Sequence, residues 1–249
     1  ITGFVTNTPL RKSHWMSDVS QAEVWMKLEN LQVTGSFKYR GALNAMTFAK
    51  ERGISRVFTA SAGNHALGMA EAARTTERET TICLPTNVSP IKKQKLERFS
   101  VGIVQHGDDM EITEQFAARL AQEKKGHYIS PYNNREVIAG QGTVGLEMYE
   151  LVPKLSTLVV AVGGGGLISG IGLVAKVINP KVRIVGVVAS GSPSMRTAVQ
   201  SGHVVRVLQQ ETIADGIAGN IDPETITFPL VQEVVDEWVT VEERDIQQA

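Results

Sequence analysis

Four consecutive glycines sit between a strand-like run and a helix-like one. Thr157–Val162 reads TLVVAV, Gly163–Gly166 follows, and Leu167–Ile178 continues with helical spacing up to Asn179-Pro180. A short, almost wholly apolar run of this kind is what a strand covered on both faces looks like, as in parallel sheets. Parallel strands need helical crossovers, so this junction points to α/β layers. The glycines leave main-chain N–H groups bare at the positive end of a helix. That is a cradle for an anion, most naturally phosphate. It is not a Walker loop, because no Gly-Lys-Ser/Thr follows. It is a poor dinucleotide fingerprint, because the third glycine position holds Ile168 or Ser169.

The same alternation runs along the chain. Strands are expected at Val24–Leu28, Arg56–Ala60, Thr80–Leu84, Val101–Gln105, His127–Ser130 and Val182–Val188. Helices are expected at Phe37–Lys50, His65–Ala73, Pro90–Phe99, Met110–Lys124 and Val137–Leu151, the fourth with Ile112, Phe116 and Leu120 on one face. Several complete strand–helix units fall between residues 47 and 130. This suggests a smaller domain there, inserted into a larger one of residues 1–46 and 131–249. A net charge of -1 without a basic run argues against nucleic acid or an anionic membrane as partner. The apolar runs are strand-sized, so no membrane span is expected. The single cysteine, Cys83, excludes an internal disulfide and fits a reducing, cytoplasmic setting. The chain opens on Ile1, and no signal peptide is visible there.

Two further loops stand at strand–helix junctions, where open α/β sheets collect ligands. Ser61-Ala62-Gly63-Asn64-His65 follows RVFTA. Its Ser and Asn suit helix capping, and beside the glycine loop they could offer an amide and backbone donors to a ligand. Thr34–Gly41, TGSFKYRG, opens a helix with Ser36 as the expected N-cap and puts Lys38 and Arg40 in its first turns. Cations are disfavoured at that end. The helix field and Arg40 would both depress the Lys38 pKa, and a lysine so depressed is the nucleophilic amine that forms Schiff bases.

Lys27-Leu-Glu-Asn30, Thr34-Gly-Ser-Phe-Lys38, Ser61–His65, Gly140-Gln-Gly142 and Gly163–Gly166 occur in an order and spacing that resembles the fold-type II pyridoxal-phosphate enzymes. The branch most similar is that of the threonine/serine dehydratases (ammonia-lyases), with serine racemase nearby. The resemblance implies a two-domain, tryptophan-synthase-β-like α/β architecture with helices on both faces of its sheets, and pyridoxal 5'-phosphate as cofactor. It implies Lys38 as the amine that carries the cofactor and as the catalytic base. It implies Phe37 flanking the ring, Asn64 on the 3-hydroxyl, Gly163, Gly164, Gly165 and Gly166 on the phosphate, and Gly216 beside the ring. Ser61, Ala62, Gly63, Asn64 and His65 would hold the carboxylate of a small amino-acid substrate. The implied reaction is β-elimination from a β-hydroxy amino acid such as L-threonine or L-serine, giving a 2-oxo acid and ammonia. Relatives of this kind are commonly homodimers.

Some positions depart from the pattern. Ala62 stands where the racemases carry the serine that works opposite the lysine, which favours elimination over racemisation. Gly186–Ala189 offers no carboxylate where several relatives bind a divalent cation, so no metal is expected. The family continues past the segment resembling Val239–Ile246, and the residue that meets the pyridine nitrogen is expected in that continuation. Thr143 and Asp215–Asn220 are candidates for contacting the β-substituent. A racemase, a β-replacement enzyme, and a non-catalytic domain that binds a phosphorylated ligand are the alternatives.

Overall fold

The structure, a computed structural model, describes residues 1–249. In chain order its elements are β1 (Leu10–Lys12), α1 (His14–Ser20), β2 (Trp25–Lys27), α2 (Lys38–Glu51), β3 (Arg56–Ala60), α3 (Asn64–Thr76), β4 (Glu79–Leu84), α4 (Pro90–Leu96), β5 (Gly102–Gln105), α5 (Met110–Glu123), β6 (His127–Tyr128), α6 (Arg135–Leu151), β7 (Thr157–Ala161), α7 (Gly166–Ile178), β8 (Arg183–Ala189), α8 (Ser194–Ser201), α9 (Thr227–Val234), β9 (Glu237–Val241) and α10 (Glu243–Gln248). One sheet has the order β5-β4-β3-β6 and another the order β7-β8-β9, and every pairing in both is parallel. β1 and β2 form a separate antiparallel pair, so not every strand belongs to a parallel sheet.

α2 lies between the two halves. It packs on α3 on one side and on α6 on the other. Its alanines, Leu43 and Met46 share a core with Val57, Met69, Ile129 and Val137. A boundary at residue 46/47 therefore falls inside a continuous helix. A second core gathers α6, α7, α9 and the β7–β8 strands around Ile168, Ile184 and Val231. The backbones of α2 and α6 touch: a Cβ on Gly140 would lie 2.6 Å from the Arg40 carbonyl oxygen and from the Gly41 Cα. Only glycine fits so close an approach.

Arg40 fastens this crossing. Its side chain is fully buried. Nε and Nη2 donate to the Glu29 carboxylate, both at 2.8 Å, and Nη1 and Nη2 to that of Glu147 at 2.6 and 2.8 Å. Nη1 also reaches Thr143 Oγ1 at 3.1 Å, and Nη2 the Thr6 carbonyl at 3.2 Å. Lys27 Nζ completes the set on Glu147 at 2.5 Å and the Thr8 carbonyl at 2.6 Å. Two cations face two anions, so the buried cluster is neutral. These partners hold Glu147 below the usual carboxylate range. The Thr143 hydroxyl also donates to the Gly140 carbonyl at 2.7 Å, which ties it to this cluster.

Two expectations about burial are corrected. β7 is an edge strand with Val159 69% exposed and Ala161 exposed, because no element of the chain covers that face. On α5 the fully buried stripe is Thr113, Ala117 and Ala121 rather than Ile112, Phe116 and Leu120. Small residues let the helix approach the sheet, while Phe116 packs at the side and stacks on His106 with ring centroids 3.9 Å apart.

Arg40→Ala leaves Glu29 and Glu147 facing each other without their shared cation. The expected loss of stability is about 3–5 kcal/mol, read from urea unfolding midpoints.

Candidate active site

α2 begins at Lys38, with Phe37 in the capping position and no side-chain cap. Ser36, the expected cap, lies one residue earlier, and its hydroxyl only accepts from the Lys38 N–H at 3.4 Å. Lys38 Nζ turns inward, donates to the Pro131 carbonyl at 3.0 Å and sits 5.4 Å from the centre of the Phe37 ring. The residue keeps some exposure, yet its amine is desolvated, and burial pulls its pKa down to about 8 against an opposing pull from Glu114. The direction is the expected one, with burial as the leading cause. Arg40 is absorbed by its carboxylates, and burial, not a neighbouring cation, disfavours the ammonium.

The Asn64 loop lies against the start of α2. A Cβ on Gly68, one turn into α3, would be 3.2 Å from the Lys38 carbonyl carbon. Gly63 occupies the capping position of α3, and its N–H donates to Ser61 Oγ at 3.2 Å. Ser61, Ala62 and Gly63 are half-buried and Asn64 is exposed. His65 is buried, and its Nε2 lies 3.1 Å from Thr59 Oγ1. Because the Thr59 hydroxyl donates to the Ile129 carbonyl at 2.7 Å, His65 Nε2 is the donor to it. Burial, then the nearby Lys38, holds the imidazole well below its usual range and neutral. Its side chain packs, and only its main chain borders the loop.

The glycine loop closes the other side. Gly165 has φ +83°, a left-handed turn that admits Gly166 as the first residue of α7. None of the Gly163, Gly164, Gly165 and Gly166 amides donates to a backbone carbonyl. They are a set of free donors at a helix start. The loop is pinned from behind by the Thr227 hydroxyl on the Gly164 carbonyl at 2.7 Å. The Tyr132 ring lies over it, where a Gly164 Cβ would come within 2.4 Å of the ring. Ile217 covers Gly163, whose Cβ would lie 2.8 Å from the Ile217 carbonyl oxygen, which brings the neighbouring, exposed Gly216 to the rim.

Lys38 and the glycine loop thus meet on one turn: Nζ bonds Pro131, and the next residue, Tyr132, packs on Gly164. A desolvated amine beside unpaired main-chain donors fits pyridoxal phosphate, which needs a covalent partner for its aldehyde and a cradle for its anion. Sequence reasoning missed Pro131, Tyr132 and Thr227, while Ile217 lies in the Asp215–Asn220 stretch it singled out. Pro131 and Tyr132 follow β6, so the strand-end rule could have flagged them. Cys83 is a core residue as expected, its thiol pushed up to about 11 by burial. No helix is long and apolar enough to cross a membrane.

Comparison with known proteins agrees with this geometry. The model of the family described as pyridoxal-phosphate dependent enzyme matches residues 1–249. The chain is 40% identical over 246 residues to the L-threonine ammonia-lyase of Thermotoga maritima, covering 98% of this chain and 61% of that protein. It is 36% identical over 252 residues to a catabolic L-threonine dehydratase of Staphylococcus aureus, covering 100% of this chain and 72% of that one. Among solved structures, maize serine racemase superposes with a TM-score of 0.92 at 32% identity, over 99% of this chain and 74% of its own. The processed threonine deaminase isoform 2 of Solanum lycopersicum gives 0.89 at 33%, over 96% and 70%. The chain spans about three fifths of the length of the L-threonine ammonia-lyases it matches.

With the cofactor removed, the Lys38 amine should react with trinitrobenzenesulfonate with a midpoint near pH 8, read by peptide mass spectrometry. Burial releases its proton early, so its labelling should level off while the surface lysines are still gaining towards pH ~10.4. Labelling that tracks the surface lysines would refute the desolvated amine.

Proposed function

The chain belongs to the pyridoxal-phosphate-dependent enzyme family, and on that footing we propose that it eliminates the β-hydroxyl of a small amino acid such as L-threonine or L-serine, yielding a 2-oxo acid and ammonia. The observation that carries the proposal is the Pro131-Tyr132 turn, which the Lys38 amine and the Gly163–Gly166 donors both touch. The names of the similar threonine ammonia-lyases and dehydratases support the reaction type.

In this reading Lys38 holds the cofactor aldehyde, the amides of Gly163, Gly164, Gly165 and Gly166 hold its phosphate, Asn64 meets its 3-hydroxyl, and Phe37 and Gly216 border its ring. The loop from Ser61 through Ala62, Gly63 and Asn64 to His65 holds the substrate carboxylate through main-chain donors. Bound pyridoxal phosphate supplies the electron sink that makes the substrate Cα–H acidic. The chain's own contribution is a base in the right state. With its pKa near 8, Lys38 Nζ is partly neutral at physiological pH and can accept the Cα proton. The Pro131 carbonyl fixes where that nitrogen stands. Ala62 provides no hydroxyl at the position before Gly63-Asn64, and Ser61, one residue earlier, turns its Oγ to accept from the Gly63 N–H, which favours elimination over racemisation.

The same proposal includes two bodies, a large cofactor-binding one of residues 1–46 with 131–249 and a small one of residues 47–130. It includes a cytoplasmic setting, consistent with the free thiol of Cys83. It includes self-association, supported by α1, which buries none of its residues and leaves Trp15 and Val19 largely exposed.

Purified protein should show a yellow absorbance that borohydride abolishes and that Lys38→Ala lacks. Incubation with L-threonine and L-serine should release 2-oxo acid and ammonia faster than either is inverted. Inversion outrunning elimination would replace the lyase with a racemase, and protein that cannot be loaded with the cofactor would leave a binding domain. Gly164→Ala, which drives a methyl into the Tyr132 ring, should lower cofactor affinity at least about tenfold in a spectroscopic titration.

A further inference from the structure

The turn on which the Lys38 amine and the glycine loop meet is itself held by one side chain. Residues 130–133 leave β6 and lead into α6. Ser130 Oγ accepts from the Asn133 N–H at 3.1 Å, which folds the turn back on itself. Its two middle residues face the site. The Pro131 carbonyl accepts from Lys38 Nζ, and the Tyr132 ring lies on Gly164. A Cβ on Gly166 would also meet Tyr132 Cα and Cβ, both at 3.2 Å. Asn133 reaches instead into the segment before α9.

Its amide makes two bonds there. Nδ2 donates to Asp222 Oδ2 at 2.8 Å, and Oδ1 accepts from the Ile226 N–H at 2.9 Å. A carboxylate only accepts and a main-chain N–H only donates, so a single orientation of the amide serves both. The Tyr132 hydroxyl adds a third tie, accepting from the Asp222 N–H at 2.9 Å. Thr227, next in the chain after Ile226, donates to the Gly164 carbonyl at 2.7 Å and is steadied by Thr225 Oγ1 at 2.8 Å. The contacts close a ring: Tyr132 on Gly164, Gly164 to Thr227, Thr227 through Ile226 to Asn133, and Asn133 back to Tyr132. Asn133 spans 93 residues of sequence to complete it. Lys38 hooks onto the same ring at Pro131.

We propose that Asn133 is a positioning residue that fixes the span between the Lys38 amine and the Gly163–Gly166 donors. The inference rests on the reading that gives those donors the cofactor phosphate and Lys38 its aldehyde. A ligand held at both ends gains from the second contact only when the span fits it. A ligand held at one end does not sense the span. Without the amide bonds the turn and the 222–227 segment are free to part, and the Pro131 carbonyl and Gly164 lose their common footing.

The test titrates cofactor-free protein by absorbance with pyridoxal 5'-phosphate and with pyridoxal, which has the aldehyde but no phosphate. Asn133→Asp sets a carboxylate against Asp222, and Asn133→Ala removes both bonds without adding charge. Each should weaken pyridoxal 5'-phosphate about tenfold or more and leave pyridoxal within about twofold of the unmodified protein. A general loss of structure would weaken both ligands alike. Adding Asp222→Asn to Asn133→Asp rebuilds the donor–acceptor pair in reverse, and should bring pyridoxal 5'-phosphate back to within about threefold. Equal losses for the two ligands, losses for pyridoxal 5'-phosphate below about twofold, or no recovery in the double variant would overturn the proposal. Unmodified protein that takes up the cofactor yet eliminates neither L-threonine nor L-serine would sink the elimination reading, and the comparison of the two ligands would still decide the role of Asn133.

Discussion

A guanidinium sealed from water holds this molecule to one arrangement. Arg40 on α2 spends its donors on Glu29, Glu147, Thr143 and Thr6, reaching 107 residues along the chain to α6. A buried charge left unmatched costs several kcal/mol, so the four ionic groups must be placed together or not at all. The constraint fixes how the β1–β2 pair, the start of α2 and the middle of α6 meet. Lys38 lies two residues before Arg40, so the position of the amine follows from a network that includes neither Pro131 nor the glycine loop.

That network also explains why the opening of α2 is rich in cations. Local reasoning treats Lys38 and Arg40 as two charges opposing one helix field. In the folded chain they point to different places. Arg40 is neutralised by partners distant in sequence, and Lys38 loses its proton early because water is removed from its amine. Glu114 pulls the other way, so the amine ends near 8 rather than lower. A base that must be neutral part of the time near pH 7 needs that balance.

The parts of this legible in the sequence are those written in short windows. The strand–glycine–helix junction at 157–178, the RVFTA strand and the span of α5 show as periodicity and composition, and the structure carries them within a few residues. The last 55 residues were harder. α8 and α9 are eight residues each, and the segment between them is nearly free of regular structure, so no period accumulates. The Thr227 hydroxyl that pins Gly164 comes from 63 residues away, and nothing near either residue announces it. The shift of the α5 stripe has a simpler cause. Thr113, Ala117 and Ala121 are too small to register as a hydrophobic face, yet their size is what admits close contact with the sheet.

At the crossing of α2 and α6, main chain rests on main chain where Gly140 meets Gly41. Side-chain joints soften because rotamers interchange, but a contact made by backbone has no such freedom to lose. Heating or distant substitution can therefore loosen the outer helices well before it blurs the aim of the nitrogen one turn away.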